Sequence, residues 1–114
     1  MRRWRVVDTV YGKVPVPEIE LRCPFCGSKL LLHQFFVQET GFLHVDIYMK
    51  CINCDWYTVF GVPITREEYN QLRQSPLHGK TINKEVALAI MSALDYTPEE
   101  IKKVEERIRA LGYW

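Results

Sequence analysis

A chain of 114 residues is long enough to bury one compact core and too short for two large domains. Its 47% hydrophobic and 25% charged residues exclude a disordered or fibrous protein. Its formal net charge of +1, with seven basic and six acidic groups in residues 1–60 and eight of each in residues 61–114, excludes the strongly positive domain that sequence-independent nucleic-acid binders display. No stretch approaches the roughly 20 apolar residues of a membrane span, and the basic start Met1-Arg2-Arg3-Trp4-Arg5 leads to Asp8 rather than to an apolar signal core. The expectation is a cytoplasmic protein, reducing in its environment and without membrane contact.

The first residues offer cations around an aromatic side chain. Arg2, Arg3, Trp4 and Arg5 are candidates for nucleic-acid contact, Trp4 by stacking, or equally a first strand with exposed arginines. Arg5-Val6-Val7 and Ile19-Glu20-Leu21 read as strand around a loop holding Gly12, Pro15 and Pro17.

All four cysteines follow, as Cys23-Pro24-Phe25-Cys26 and Cys51-Ile52-Asn53-Cys54, with 24 residues between the pairs. Two thiolates spaced by two residues on a tight turn face one ion, and a second such turn completes the tetrahedron that zinc accepts from four sulfurs. Gly27 stands where such a knuckle needs positive φ, and Asp55 holds the equivalent place in the second. Two disulfides would require an oxidising compartment, and a redox Cys-x-x-Cys normally comes as one pair ahead of a helix. The expectation is one structural Zn²⁺, ahead of iron, on Cys23, Cys26, Cys51 and Cys54. Four thiolates leave no open position for water, so the ion is not catalytic and the chain is not expected to be an enzyme. Metal binding of about 10–16 kcal/mol in peptide systems matches the roughly 5–15 kcal/mol net stability of whole domains, so metal removal should unfold the site. Arg22, Lys29 and Lys50 stand near the knuckles as counter-charges, or alternatively as phosphate contacts.

Between the pairs, Phe42 to Cys51 alternates, with Leu43, Val45, Ile47 and Met49 on one face and His44, Asp46, Tyr48 and Lys50 on the other. Leu30-Leu31-Leu32 and Phe35-Phe36-Val37 form a less regular apolar strand, and Gln38-Glu39-Thr40-Gly41 supplies the hairpin turn. The arm so formed projects about 30 Å, with Phe42 and Leu43 at its end as candidate partner contacts. Trp56-Tyr57-Thr58-Val59-Phe60 adds a third strand.

Gly61-Val62-Pro63 then marks a change to helix. Thr65-Arg66-Glu67-Glu68 is a capping box opening a helix to about Gln74, and Asn83 caps a second with Val86, Ile90, Ala93 and Leu94 on one stripe. Thr97-Pro98-Glu99-Glu100 starts a third, which turns Ile101, Val104, Ile108 and Leu111 inward, pairs Glu99 with Lys103 and Glu105 with Arg109, and ends at Gly112. The last two helices, joined by Asp95-Tyr96-Thr97, have the layout of a helix-turn-helix, but the third opens on Glu99 and Glu100, not on the basic or amide side chains of a DNA-reading helix. The fold class expected is α+β: an N-terminal three-stranded zinc ribbon with rubredoxin-like knuckles and a strand extension over residues 1–62, then a helical region of two to three helices over residues 63–114, packed on the ribbon.

The cysteine spacing, the glycine after the first pair and the aromatic strand after the second resemble the C-terminal ribbon of transcription elongation factor S, over about residues 22–60. In that family an Asp-Glu pair at the hairpin tip supports transcript cleavage. Its place here falls on Phe42 and Leu43, so the resemblance implies the fold and a setting without the cleavage activity. Cys-Pro-x-Cys-Gly-Ser with a leucine-rich strand also looks like ribbons of ribosomal, translational and ZPR-type zinc-finger proteins. The function expected is that of a non-catalytic zinc-ribbon protein of the transcription or information-processing machinery, binding a polymerase, ribonucleoprotein or nucleic acid. The alternative is a protein-interaction adaptor that uses the ribbon tip and the helices, with Tyr113 and Trp114 as further apolar groups to be covered.

Overall fold

The computed structural model describes residues 4–114 and is α+β, with five strands in two sheets and three helices. β1 (Trp4–Thr9) and β2 (Gly12–Pro17) form an antiparallel hairpin that is a sheet of its own. Thr9 makes the turn: its hydroxyl donates to the Gly12 carbonyl (2.9 Å) and accepts from the Tyr11 amide (3.1 Å). The loop expected around Pro15 and Pro17 is therefore strand. Both prolines fall on the alternate positions of an edge strand, where the ladder asks for no N–H. Ile19-Glu20-Leu21, expected as strand, pairs with no described residue beyond the neighbouring bridge of Arg22 with Lys29.

The three strands that follow form a meander, β3 (Leu30–Glu39), β4 (Leu43–Cys51) and β5 (Tyr57–Pro63), in the order β3-β4-β5. The three-stranded sheet is thus preceded by a separate two-stranded one. A bulge between Leu32 and Gln34 shifts the β3 register. It accounts for the irregular pattern of that segment, because Leu31, Leu32 and Phe35 are all buried although no single alternation joins them. In β4 the alternation holds, with Val45, Ile47 and Met49 buried and His44, Asp46, Tyr48 and Lys50 half-covered on the outer face.

The helices are α1 (Arg66–Arg73), α2 (Lys84–Ala93) and α3 (Pro98–Leu111). Thr65 with Glu68, and Thr97 with Glu100, form capping boxes, and Asn83 caps α2. Gly112 closes α3 at φ +82°. Val104 and Ile108 are buried as the stripe requires, but Leu111 is 48% exposed. The chain turns at Gly112 and sends Trp114 inward in its place, 1% exposed, with its indole N–H on the Leu32 carbonyl at 3.1 Å.

One core runs through both sheets and all three helices, from Trp4, Val7, Val14 and Val16 through Phe35 and Ile47 to Leu72, Ile90, Met91 and Val104. The far end of the β3-β4 hairpin is flanked rather than free. Arg66 of α1 pairs with Glu39 at 2.9 Å, and the Ile64 amide donates to the Leu43 carbonyl at 3.1 Å. The arm expected to stand about 30 Å clear of the body is held along its length by β5 and α1. Among the described residues, no helix is long and apolar enough to cross a membrane.

Candidate metal centre

Each cysteine pair sits on a tight turn at the same end of the three-stranded sheet. In the first, the Cys23 amide donates to the Ser28 carbonyl (2.8 Å) and the Gly27 amide to the Cys23 carbonyl (2.9 Å). Gly27 takes φ +73°, which a side chain would oppose. In the second, the amides of Asn53 and Cys54 both point at Cys51 Sγ, each at 3.3 Å, and so favour its thiolate. Asp55 does not adopt the left-handed conformation expected of it. Among the described residues other than glycine only Asp95, between α2 and α3, has positive φ. The Ile52 amide on the Lys29 carbonyl (3.2 Å) ties one knuckle to the other.

The four sulfurs lie within 4.8 Å of one another and could hold one metal ion. Cys23 faces Cys54 at 3.5 Å, Cys26 faces Cys51 at 3.5 Å, and Cys26 lies 3.9 Å from Cys54. A four-sulfur tetrahedron with metal–sulfur bonds of about 2.3 Å has edges of about 3.8 Å, which these separations match. All four are thiols, not disulfides.

The surroundings push Cys26 in one direction and Cys51 and Cys54 in the other. Hydrogen bonds from the Ser28 side chain and amide, with help from Asn53, pull Cys26 down to about 5. Burial pushes Cys51 up. The Trp56 amide favours the Cys54 thiolate, but burial and the neighbouring thiols outweigh it and push Cys54 up to about 12. A divalent cation removes the conflict by stabilising every thiolate at once.

Helix α3 lies behind the second knuckle. Arg107 donates to the carbonyls of Cys51 (2.7 Å) and Cys54 (2.9 Å) and to Asp55 Oδ1 (3.0 Å), and its guanidinium lies 5.4 Å from the centre of the Trp114 ring. Lys103 donates to Asn53 Oδ1 at 3.0 Å instead of pairing with Glu99. Arg107 is the residue that sequence reasoning missed. It sits beside the apolar stripe of α3, 53 to 56 residues from the turn it holds, and nothing local marks it. The lysines expected to balance the centre serve the docking of the helices. Lys29 donates to the Asp95 carbonyl (3.2 Å) beside Glu100 (3.6 Å), and Lys50 donates to the Trp114 carbonyl (2.8 Å). Arg22 reaches the Gly27 carbonyl at 3.3 Å.

Of the basic start, Trp4 and Arg5 are described. Arg2 and Arg3 lie outside the described residues. Trp4 is buried with its indole N–H on Glu68 Oε2 (2.9 Å), so its ring is not offered for stacking, a correction that follows from the core's claim on the first strand. Arg5 is held by the Ala93 carbonyl (2.8 Å) and Glu18 (2.6 Å). At the hairpin end, Phe42 is 57% exposed with its ring 4.8 Å from that of His44, while Leu43 opens β4 and is half-buried.

Aromatic groups instead collect on the outer face of the three-stranded sheet. Phe36 stacks on Tyr48 at 5.5 Å. Beside them a cavity of about 390 Å³ is lined by His33, Gln34, Tyr48, Lys50, Tyr57 and Tyr113, among others. Tyr57 and Tyr113 are 66% and 60% exposed, and Lys50 lies over the Tyr113 ring at 5.7 Å. Burial lowers the Lys50 pKa, with the Arg107 charge adding to the effect. His44 and Asp46 lie 3.6 Å apart, with Asp46 also accepting from Gln38 (2.8 Å), and His78 Nε2 accepts from the Val37 amide (3.0 Å) on the far edge of β3.

Comparison with protein-family models, with curated proteins and with solved structures returned no match to this chain.

Proposed function

We propose that this is a non-catalytic zinc-ribbon protein of the transcription or related information-processing machinery, in which one structural Zn²⁺ fixes the two knuckles and the outer face of the three-stranded sheet recognises nucleic acid. The observation that carries the reading is the four-sulfur cluster, whose neighbours are backbone amides and carbonyls and Arg107. Such a closed shell supports structure and offers no position for substrate. Recognition then falls to the surface. Tyr48, Tyr57 and Tyr113 around Lys50 make the combination of ring faces and cation on which unpaired bases stack.

Fluorescence anisotropy with labelled single-stranded and duplex oligonucleotides tests this reading. Single strands should bind more tightly than duplex, with a shallow salt slope of about one or two phosphate contacts. Replacing Tyr57 and Tyr113 together by alanine should weaken binding by at least about tenfold, since base stacking contributes roughly 1–3 kcal/mol per base. Binding that is unaffected by this pair, or absent up to about 100 µM oligonucleotide, would contradict it.

A second reading, the protein-interaction adaptor, is favoured by the exposure of Phe42 at the hairpin end beside half-buried Leu43. On that reading Phe42→Ala weakens capture of a protein partner from host extract while nucleic-acid binding is unchanged.

A further inference from the structure

The two edges of the three-stranded sheet are treated differently. Along β3 the outer edge is covered: Gly79 and Ile82 donate to the carbonyls of Phe35 and His33 (2.8 and 3.1 Å), and His78 takes the Val37 amide. Along β5 no such cover reaches Tyr57, Val59 or Gly61 among the described residues. The bonds that bracket the β4-β5 ladder, Ile64 to Leu43 and Cys51 to Trp56, fix its parity, so even-numbered residues of β5 bond to β4. The N–H and C=O groups of Tyr57, Val59 and Gly61 therefore point away from the sheet, and no described residue bonds to them.

From Trp56 to Ile64 the chain carries no charge, and Tyr57 and Val59 are 66% and 47% exposed. Soluble proteins normally protect such an edge with a lysine, a bulge or a covering loop. We infer that β5 pairs with β5 of a second copy of this chain, antiparallel and centred on Val59, to make a continuous six-stranded sheet.

The occupant follows from self-complementarity. With the two-fold axis at Val59, each Val59 exchanges both backbone bonds with its counterpart, and each Tyr57 does so with Gly61 of the other copy. About six bonds form, from every outward donor and acceptor over these three positions. The register makes no use of Pro63, and Tyr57 gains a residue without a side chain opposite it, an arrangement in which an aromatic ring covers a strand glycine. Charge agrees. The first charges flanking the neutral run are Asp55 at one end and Arg66 at the other, both exposed at the surface. Antiparallel pairing brings the Asp55 end of each strand to the Arg66 end of the other, whereas parallel pairing would set like against like. The five residues from Tyr57 to Gly61 offer about 17 Å of edge. Strand pairing of that length buries less than the roughly 1,200–2,000 Å² of a standard stable interface, so the association is expected to be micromolar rather than permanent. Because the axis stands perpendicular to the sheet, both outer faces lie on one side of the dimer.

The metal-loaded full chain is tested by sedimentation equilibrium from about 1 µM to about 1 mM, with amide exchange followed residue by residue at both ends of the range. The expected result is a monomer–dimer equilibrium in which the Tyr57, Val59 and Gly61 amides gain protection with concentration, while those of Thr58, Phe60 and Val62 are protected throughout. Val59→Lys sets two ammonium groups opposite each other and should weaken dimerisation by at least about tenfold with the melting temperature unchanged. Val59→Pro, which removes the outward N–H and fixes φ, should weaken dimerisation likewise. A chain that stays monomeric at about 1 mM overturns the inference. So does a dimer indifferent to both substitutions, which would use another face, or outward amides that gain protection only from a foreign peptide.

Discussion

Replacing Arg107 by methionine probes whether α3 is part of the metal centre or merely adjacent to it. Methionine keeps most of the apolar stem and removes the charge, all donors and the guanidinium's contact with the Trp114 ring. The carbonyls of Cys51 and Cys54 then lose bonds of 2.7 and 2.9 Å. The third bond, to the fully exposed carboxylate of Asp55, adds little after solvent screening. Hydrogen bonds to a charged donor contribute about 1.5–3 kcal/mol each, and two on one guanidinium are less than additive, so a loss of about 3 kcal/mol is expected. For a domain of this size that corresponds to a melting temperature lower by roughly 10 °C. Arg107→Lys, which can reach one carbonyl but not both, should fall about midway. Differential scanning calorimetry of the metal-loaded variants gives the answer. A shift for Arg107→Met of less than about 2 °C would refute the reasoning, because it would show both carbonyls satisfied by water at no loss.

Trp114→Ala should cost about 3–5 kcal/mol, since it empties a fully buried site and orphans the Leu32 carbonyl; a melting point within about 3 °C of the parent would contradict the packing described. His78 has its pKa lowered below 6.5 by burial and by the Arg73 charge, and its neutral Nε2 accepts the Val37 amide. The folded protein thus binds this proton less readily than the unfolded chain, so the histidine's contribution is complete above about pH 6.5 and is lost as pH falls through the lowered value. His78→Gln keeps an acceptor that does not titrate; its stability curve should be flatter than the parent's below about pH 6.5, and parallel curves would contradict the assignment.

The features read well from sequence are those that local chemistry decides. Two Cys-x-x-Cys turns, two capping boxes and the alternation of β4 each need only a few neighbouring residues, and each is in place. What was missed depends on contacts distant in the chain. The bulge at His33 lets Leu31 and Leu32 both be buried, so β3 carries no readable period. Pro15 and Pro17 read as loop because a sequence does not show that β2 is an edge whose alternate N–H groups go unused. Trp4 looked like a stacking residue until its partner Glu68, which also caps α1, was placed beside it. Arg107 meets the second knuckle, and Trp114 the Leu32 carbonyl, only across more than 50 residues of chain. For the same reason the aromatic outer face, contributed by β3, β4, β5 and the segment after α3, could not be assembled from any one stretch.

The most direct test of the account is the metal content of the purified chain, measured by elemental mass spectrometry together with thiol titration before and after chelation. The account predicts one zinc per chain, four cysteines that react only once the metal is withdrawn, and loss of cooperative unfolding on its removal. A folded, metal-free chain whose four thiols titrate freely, or whose cysteines form two disulfides, would contradict it.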